Sequence, residues 1–226
     1  MSKEQLVAVV EERSEEKLST LLTDIFNISK ERRGAQKICG DGIFNYIVTH
    51  LETLRGLKQE NITRQIVYSI IKRPTLSSSL TCEEVVEIVK SGVWKENIDI
   101  LRSLLRTEQQ ISCLVSFTID IKNVLETIDL RSSSSASYVI AKLAPKYPAT
   151  FEPFIYTIVD ILCEDKELQN DSINAMGEAL MALCMSSTEK IQIATKIDEK
   201  LVALRDSTKN VMVHSLSNDV VNALRQ

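Results

Sequence analysis

The feature that most constrains the fold is a stretch from Arg33 to Val48, with the sequence RGAQKICGDGIFNYIV. Its first half ends at Gly40, a short acidic turn follows at Asp41, and a strongly apolar helix begins at Ile43. Glycine is a common residue at the end of a helix. A helical hairpin of this kind buries its apolar face only by stacking on similar neighbours. The stretch therefore predicts a stack of helical units, which favours a binding scaffold over an enzyme.

The composition indicates a core of aliphatic side chains packed between helices. Of the 226 residues, 44% are hydrophobic but only 5% are aromatic, and Trp94 is the single tryptophan. The chain has six glycines and four prolines, and its apolar residues recur with the helical period along nearly the whole length. Patterns typical of strands are nearly absent. We therefore predict an all-α protein.

The periodicity places about a dozen helices along the chain. A capping box at Thr81 to Glu84 marks one helix start, and Pro74 and Pro145 each follow a predicted helix end. The predicted helices span residues 3–12, 14–29, 30–39, 43–56, 60–72, 81–90, 95–106, 108–128, 136–144, 151–164, 167–185, 187–204 and 209–224. Paired, they form about six helical hairpins and one C-terminal capping helix, within a single domain over residues 1–226.

The chain resembles the armadillo/HEAT superfamily of α-solenoids. The resemblance rests on residues 36–51, QKICGDGIFNYIVTHL, and on looser echoes at residues 86–92, 97–105 and 172–184. Hairpins recur every 30 to 42 residues or so, near the period of such repeats. The resemblance implies a right-handed solenoid that binds protein partners. Importin-type repeats carry a ladder of tryptophan and asparagine, of which this chain has Asn45 and Asn123 but no matching tryptophans.

Polar residues lie opposite the apolar stripe on several predicted helices. If those helices line one concave face, that face is polar with an acidic tilt, and it would accept a basic or polar segment of a partner. An ordinary solvated helix surface is the alternative. The candidate partner-binding residues are Asn45, Thr49, Glu52, Glu83, Glu87, Ser116, Asp120, Asn123, Asp160 and Glu164.

Three further features have two interpretations each. Trp94, after Gly92, is either an interface anchor or a wedge between two hairpins. The apolar C-terminal helix either covers the end of the stack or forms a homodimer surface. A basic cluster at Lys30, Arg32, Arg33 and Lys37 is either a phosphate or lipid site or a solvated face.

Sequence signals of catalysis, metal binding and export are absent. There is no phosphate-binding glycine loop, nucleophile elbow or HExxH motif. His50 and His214 have no metal-ligand spacing with any cysteine. The five cysteines form no CxxC pair and fit free thiols on apolar helix faces, which points to a reducing compartment. We therefore expect an intracellular protein, cytoplasmic or nuclear, with no cofactor, no metal and no membrane span.

The net charge of −4 and the isoelectric point of about 5.4 disfavour nucleic-acid binding, which usually needs a basic excess. The leading prediction is a non-enzymatic scaffold or adaptor for protein partners. One alternative is a regulator that clamps a chaperone ATPase or small GTPase, as nucleotide-exchange factors do. A DNA-binding enzyme of the HEAT-like glycosylase type fits the acidic composition poorly.

Overall fold

A computed structural model describes residues 2–164 and 167–225, and its regular structure over these residues is entirely helical, without a β-strand. The prediction of an all-α fold is confirmed. The chain forms two compact units, Met1–Phe117 and Thr118–Gln226, which we describe separately as unit 1 and unit 2. A single domain over residues 1–226 stays a prediction.

Residues 2–117 of unit 1 form ten α-helices and one short 3₁₀ helix. They are α1 Lys3–Glu12, α2 Glu15–Ser29, α3 Arg32–Gly40, α4 Ile43–Thr49, α5 Leu51–Gly56, α6 Glu60–Ile71, α7 Pro74–Ser77, α8 Cys82–Lys90, α9 Ile98–Leu104, α10 Glu108–Cys113 and the 3₁₀ helix Val115–Phe117.

The longer helices of unit 1 pack in two rows. In the first row α2 contacts α6, and α6 contacts α9. In the second row α1, α4, α8 and α10 contact one another in that order. The two rows meet where α1 packs on α2 and where α4 and α5 pack on α6.

Helix α6 lies at the centre of unit 1 because its apolar faces pack on α2 and α9 in its own row and on α4 and α5 where the rows meet. Ile66, Val67, Ile70 and Ile71 are all fully buried, and burying side chains of this size stabilises a fold by about 1.5–3 kcal/mol each. Ser69, on the side of α6 toward α2, hydrogen-bonds through its hydroxyl to the hydroxyl of Ser29.

Unit 2 has seven helices within its described residues, 118–164 and 167–225. They are α11 Thr118–Leu125, α12 Ser134–Leu143, α13 Pro148–Phe151, α14 Phe154–Glu164, α15 Asn170–Ser186, α16 Lys190–Ser207 and α17 Val211–Leu224.

The helices of unit 2 also pack in two rows. One row contains α12, α15 and α17, and a second contains α14 and α16. Gly177 on α15 lets α17 approach closely, because a Cβ there would lie 3.1 Å from a methyl group of Leu216.

The prediction of one helix over residues 43–56 is wrong, because the helix breaks at His50. The backbone of His50 leaves the helical region, with φ −118° and ψ 20°, and its N–H bonds to Ile47 instead of Tyr46. The His50 ring stacks on the Tyr46 ring, and its Nδ1 lies 2.9 Å from the carbonyl oxygen of Tyr46. The side chain thus takes the place of the missing helical hydrogen bond.

The prediction of one helix over residues 108–128 is also wrong. Helix α10 ends at Cys113, the 3₁₀ helix follows, and α11 begins at Thr118, where unit 2 begins. Between the predicted helices 60–72 and 81–90 the chain forms the short helix α7, with Pro74 at its first position, where proline is well tolerated.

Gly34 is required by the close approach of α3 to α2. A Cβ on this residue would overlap the carbonyl oxygen and the Cγ2 atom of Ile28. Gly40, at the other end of the same helix, has open space where a Cβ would lie. Only the first of these glycines is needed for packing.

We expect Gly34→Ala to destabilise unit 1 by about 1–3 kcal/mol, because the backbone of α2 must shift to make room. Gly40→Ala is the matched control, and we expect it to be neutral or stabilising by up to about 1 kcal/mol, since alanine favours the helix. Urea unfolding followed by the fluorescence of Trp94 measures both. Equal stability of the two variants would contradict the assigned contact.

Candidate protein-binding surface

The second row of unit 1 brings two predicted partner-binding helices together. The side-chain amide of Asn45 on α4 donates a hydrogen bond to Glu84 Oε1 on α8 at 3.2 Å. Glu84 also accepts a hydrogen bond from the N–H of Thr81 at 2.9 Å, while Thr81 Oγ1 accepts one from the N–H of Glu84 at 3.2 Å. The predicted capping box is therefore confirmed, and its glutamate also links α8 to α4.

Glu83 and Glu87 lie on the solvent side of α8, opposite the buried Val85, Ile88 and Val89. Glu87 pairs with Lys90 at 3.6 Å. Glu83 is exposed and has no ion-pair partner among the described residues. The surface of α8 therefore keeps a net negative charge.

Helix α1 extends this negative surface on the other side of α4. Burial raises the pKa of Tyr46 on α4, and the nearby carboxylate of Glu11 on α1 raises this pKa further. Glu11 is exposed, and it too lacks an ion-pair partner within the described residues. Glu11, Glu83, Glu84 and Glu87 thus form an acidic strip over α1 and α8, on either side of Asn45.

Three other candidates in unit 1 lie away from this strip or are satisfied locally. Thr49 donates its hydroxyl to the carbonyl of Asn45 at 2.9 Å. Glu52 is on α5, beyond the break at His50, and pairs with Arg55 at 3.2 Å. Ser116 lies in the 3₁₀ helix, exposed. The expectation that Asn45, Thr49 and Glu52 share one helix face is therefore wrong.

The remaining candidates belong to unit 2. Asp120 and Asn123 are exposed on α11, so they do not share a helix with Ser116. Asp160 on α14 accepts a hydrogen bond from Lys200 on α16 at 2.6 Å, and this contact raises the pKa of Lys200. Glu164 lies 3.6 Å from Arg131. Both acidic candidates on α14 are thus paired within their own unit.

Trp94 lies in the core of unit 1. Its side chain is 1% exposed, and its indole N–H donates to the carbonyl of Val89 at 2.9 Å. Gly92, which precedes it, has a φ of +74°, a value that favours glycine. This placement fits the wedge interpretation rather than an exposed anchor.

The C-terminal helix packs within unit 2. Helix α17 contacts α15 and α16 and buries Val213, Val220 and Leu224. Val211, at its start, remains 81% exposed. A homodimer through this helix stays a prediction.

The prediction of five free thiols is wrong, because two of the cysteines form a disulfide. Cys82, the first residue of α8, is bonded to Cys113, the last residue of α10, so the bond joins neighbouring helices of the second row beside Glu83. The sequence holds no signal for this pairing, because the spacing of 31 residues matches no common motif. Cys39, Cys163 and Cys184 are free.

The described residues contain no cluster of three His, Cys, Asp or Glu side chains that could hold a metal ion. None of the helices in the described part of the chain is long and apolar enough to cross a membrane. No family model matches the chain, and no curated protein matches it by sequence.

Among solved structures, a designed armadillo repeat protein, YIII(Dq)4CqI, is similar with a TM-score of 0.64 and 15% identity, over 97% of this chain and 99% of the designed one. The fold is an armadillo-type α-solenoid. The predicted resemblance is thereby confirmed at the level of fold.

Thiol counting tests the disulfide. We expect three reactive thiols in denaturant without reductant and all five cysteines after reduction. In the native protein the reaction should be slow, because burial raises the pKa of Cys39 to about 11 and that of Cys184 to about 12, and the thiolate is the reactive form.

The variant Cys82→Ala is the control for this count. It frees Cys113, so it should show one more thiol than the parent chain in denaturant without reductant. Five reactive thiols in the unreduced parent chain would show that the bond does not form.

Proposed function

We propose that this protein is a non-enzymatic scaffold that binds a basic or polar segment of a partner protein. The armadillo-type fold supports protein binding in general. The acidic strip over α1 and α8, with Glu11 and Glu83 unpaired, is the observation on which the more specific proposal rests. Exposed carboxylates of this kind form charge-assisted hydrogen bonds with lysine and arginine.

The spacing of the second row suits an extended chain. Packed helices are about 8–10 Å apart, and an extended peptide advances about 3.3 Å per residue. Every third residue of a peptide that crosses α4 and α8 would therefore meet the next helix. Helix α4 lies between α1 and α8 and has no carboxylate. Lysine or arginine residues about six positions apart in such a segment would therefore meet the carboxylates of α1 and α8.

The proposed site keeps three of the residues predicted for a concave binding face, and the concave position of that face stays a prediction. Asn45, Glu83 and Glu87 remain in the proposed site, where, among the described residues, Glu87 pairs only with Lys90 of its own helix. Asp160 and Glu164 instead pair with Lys200 and Arg131, which lie outside their helix.

The two alternative functions are a clamp that regulates an ATPase or GTPase and a DNA-binding enzyme. The described residues contain no feature that favours either of them.

An intracellular location stays part of the proposal, but the Cys82–Cys113 bond removes the argument from five free thiols on which that location rested. A reducing compartment keeps such a pair as thiols, so a bonded pair in protein taken from cells under alkylating conditions would contradict an intracellular location.

We expect a double charge reversal, Glu83→Lys with Glu87→Lys, to weaken the binding of a basic peptide about tenfold, since exposed ion pairs contribute up to about 1 kcal/mol each. The probe is a fluorescent peptide of roughly twelve residues with lysine at every third position in a glycine–serine background. Fluorescence anisotropy measures its affinity at low salt, where screening is weak.

The matched control is Glu178→Lys with Asp219→Lys, which makes the same charge change at exposed positions of unit 2. This control should bind the peptide almost as tightly as the parent chain, with only a small loss of affinity from the change in net charge. If both double variants lose the same affinity, the effect is one of net charge, and the acidic strip is not the binding site.

A further inference from the structure

Basic residues are concentrated at the C-terminal ends of the helices in the first row of unit 1. Its helices carry lysine or arginine at or just beyond their C-terminal ends, namely Lys30 after α2, Lys72 and Arg73 after α6, and Arg106 after α9. Arg32 and Arg33 begin α3, next to the end of α2. The six residues Lys30, Arg32, Arg33, Lys72, Arg73 and Arg106 are called the basic row below.

Hydrogen bonds hold the ends of α2 and α6 side by side. Arg73 donates from Nη2 to the carbonyl of Lys30 at 2.7 Å and from Nη1 to the carbonyl of Ser69. The buried hydroxyls of Ser29 and Ser69 are also hydrogen-bonded to each other. Arg73 therefore satisfies backbone carbonyls while its positive charge adds to those of Lys30 and Lys72.

An aromatic ring orients the lysine on each of the first two helices. The ammonium group of Lys30 lies 4.2 Å from the centre of the Phe26 ring, and that of Lys72 lies 5.6 Å from the centre of the Tyr68 ring. Both distances are typical of cation–π contacts. These contacts reduce the freedom of side chains that would otherwise lose entropy on binding a ligand.

The same pattern recurs in the sequence of successive helices. Residues 25–30 are IFNISK, residues 67–72 are VYSIIK and residues 101–106 are LRSLLR, so a basic residue always ends the motif. In unit 2, residues 137–142 are SYVIAK, and Lys142 lies 5.3 Å from the ring centre of Tyr138. The basic end is therefore a repeated property of these helices.

None of the six residues of the basic row has a carboxylate partner among the described residues, although Glu31 lies between Lys30 and Arg32 in sequence. Elsewhere in unit 1 many basic side chains are paired with glutamate, namely Lys17, Arg55, Lys58, Arg64 and Lys90. In a chain with a net charge of −4, this is a local surplus of positive charge.

We propose that the basic row binds an acidic, extended segment of another protein, with carboxylates of the segment paired to Lys30, Lys72 and Arg106. This inference goes beyond the proposed function, because it concerns another row of helices and a partner of opposite charge. Helices about 8–10 Å apart would meet carboxylates at about every third residue of such a segment.

A protein segment fits this surface better than a nucleic acid does. Phe26 and Tyr68 are half-buried and have their own lysines over the ring faces, so these rings do not offer the open platforms on which bases stack. The negative charge of the rest of the chain also repels a long polyanion. A short acidic segment, which spans only the basic row, meets less of that repulsion.

The test uses a fluorescent peptide of roughly twelve residues with glutamate at every third position, long enough to cross three helices. A control peptide has glutamine at the same positions. We expect Lys72→Glu with Arg106→Glu to weaken binding of the glutamate peptide at least about tenfold. The neutral variant Lys72→Gln with Arg106→Gln should weaken it less, and added salt should weaken binding to the parent chain.

Lys95→Glu with Lys209→Glu is the matched control, because it changes the net charge equally at exposed positions outside the basic row. Retained binding by this control, together with loss in the basic-row variants, supports the proposal. The proposal is overturned if the parent chain binds the glutamine peptide as tightly as the glutamate peptide. It is also overturned if Lys95→Glu with Lys209→Glu loses as much affinity as Lys72→Glu with Arg106→Glu. Circular dichroism checks that each variant is folded.

Two further measurements distinguish other occupants. The first is competition with a single-stranded oligonucleotide. If the oligonucleotide binds more tightly than the glutamate peptide and displaces it, the proposal is overturned in favour of nucleic acid. Self-association that is lost in Lys72→Glu with Arg106→Glu, without peptide binding by the parent chain, overturns it in favour of a second copy. Neither result bears on the acidic strip, which is tested with the lysine peptide and Glu83→Lys with Glu87→Lys.

Discussion

The structure of unit 1 depends on the burial of α6, which packs on α2 and α9 within the first row and on α4 and α5 where the two rows meet. Its four central aliphatic side chains, Ile66, Val67, Ile70 and Ile71, have no exposed surface. An isolated helix of this length would be marginal in water, because most helical stability in proteins comes from packing. Contacts between neighbouring helices therefore fix each row, and each row in turn fixes which charged side chains lie together.

Much of the fold could be predicted from the sequence, because it depends on local patterns. Helical periodicity and the glycine–aspartate turn after α3 indicated stacked helices, and Thr81 with Glu84 marked the start of α8. The breaks at His50 and after Cys113 could not be predicted in the same way. At His50 the helix ends because one ring stacks on Tyr46 and replaces a backbone hydrogen bond, and periodicity contains no information on such a contact.

The candidate surfaces were predictable only in part, because they depend on which helices become neighbours. Glu83 and Glu87 follow from the exposed face of α8, but the contact of Asn45 with Glu84 needs α4 beside α8. The disulfide needs α8 beside α10. The sequence predicts the basic cluster Lys30, Arg32, Arg33 and Lys37, of which the first three belong to the basic row. Lys72, Arg73 and Arg106 join them only through the packing of α2, α6 and α9. Unit 1 thus carries two surfaces of opposite charge on a single hydrophobic core.

The position of the one tryptophan decides what each spectroscopic signal reports. Trp94 is buried in unit 1, and unit 2 has no tryptophan. Intrinsic emission therefore follows the unfolding of the first half of the chain, whereas far-ultraviolet circular dichroism follows both halves. If the two halves unfold together, the two curves coincide, and if they unfold separately, the curves diverge. The chain thus contains its own label for measuring the cooperativity between its halves.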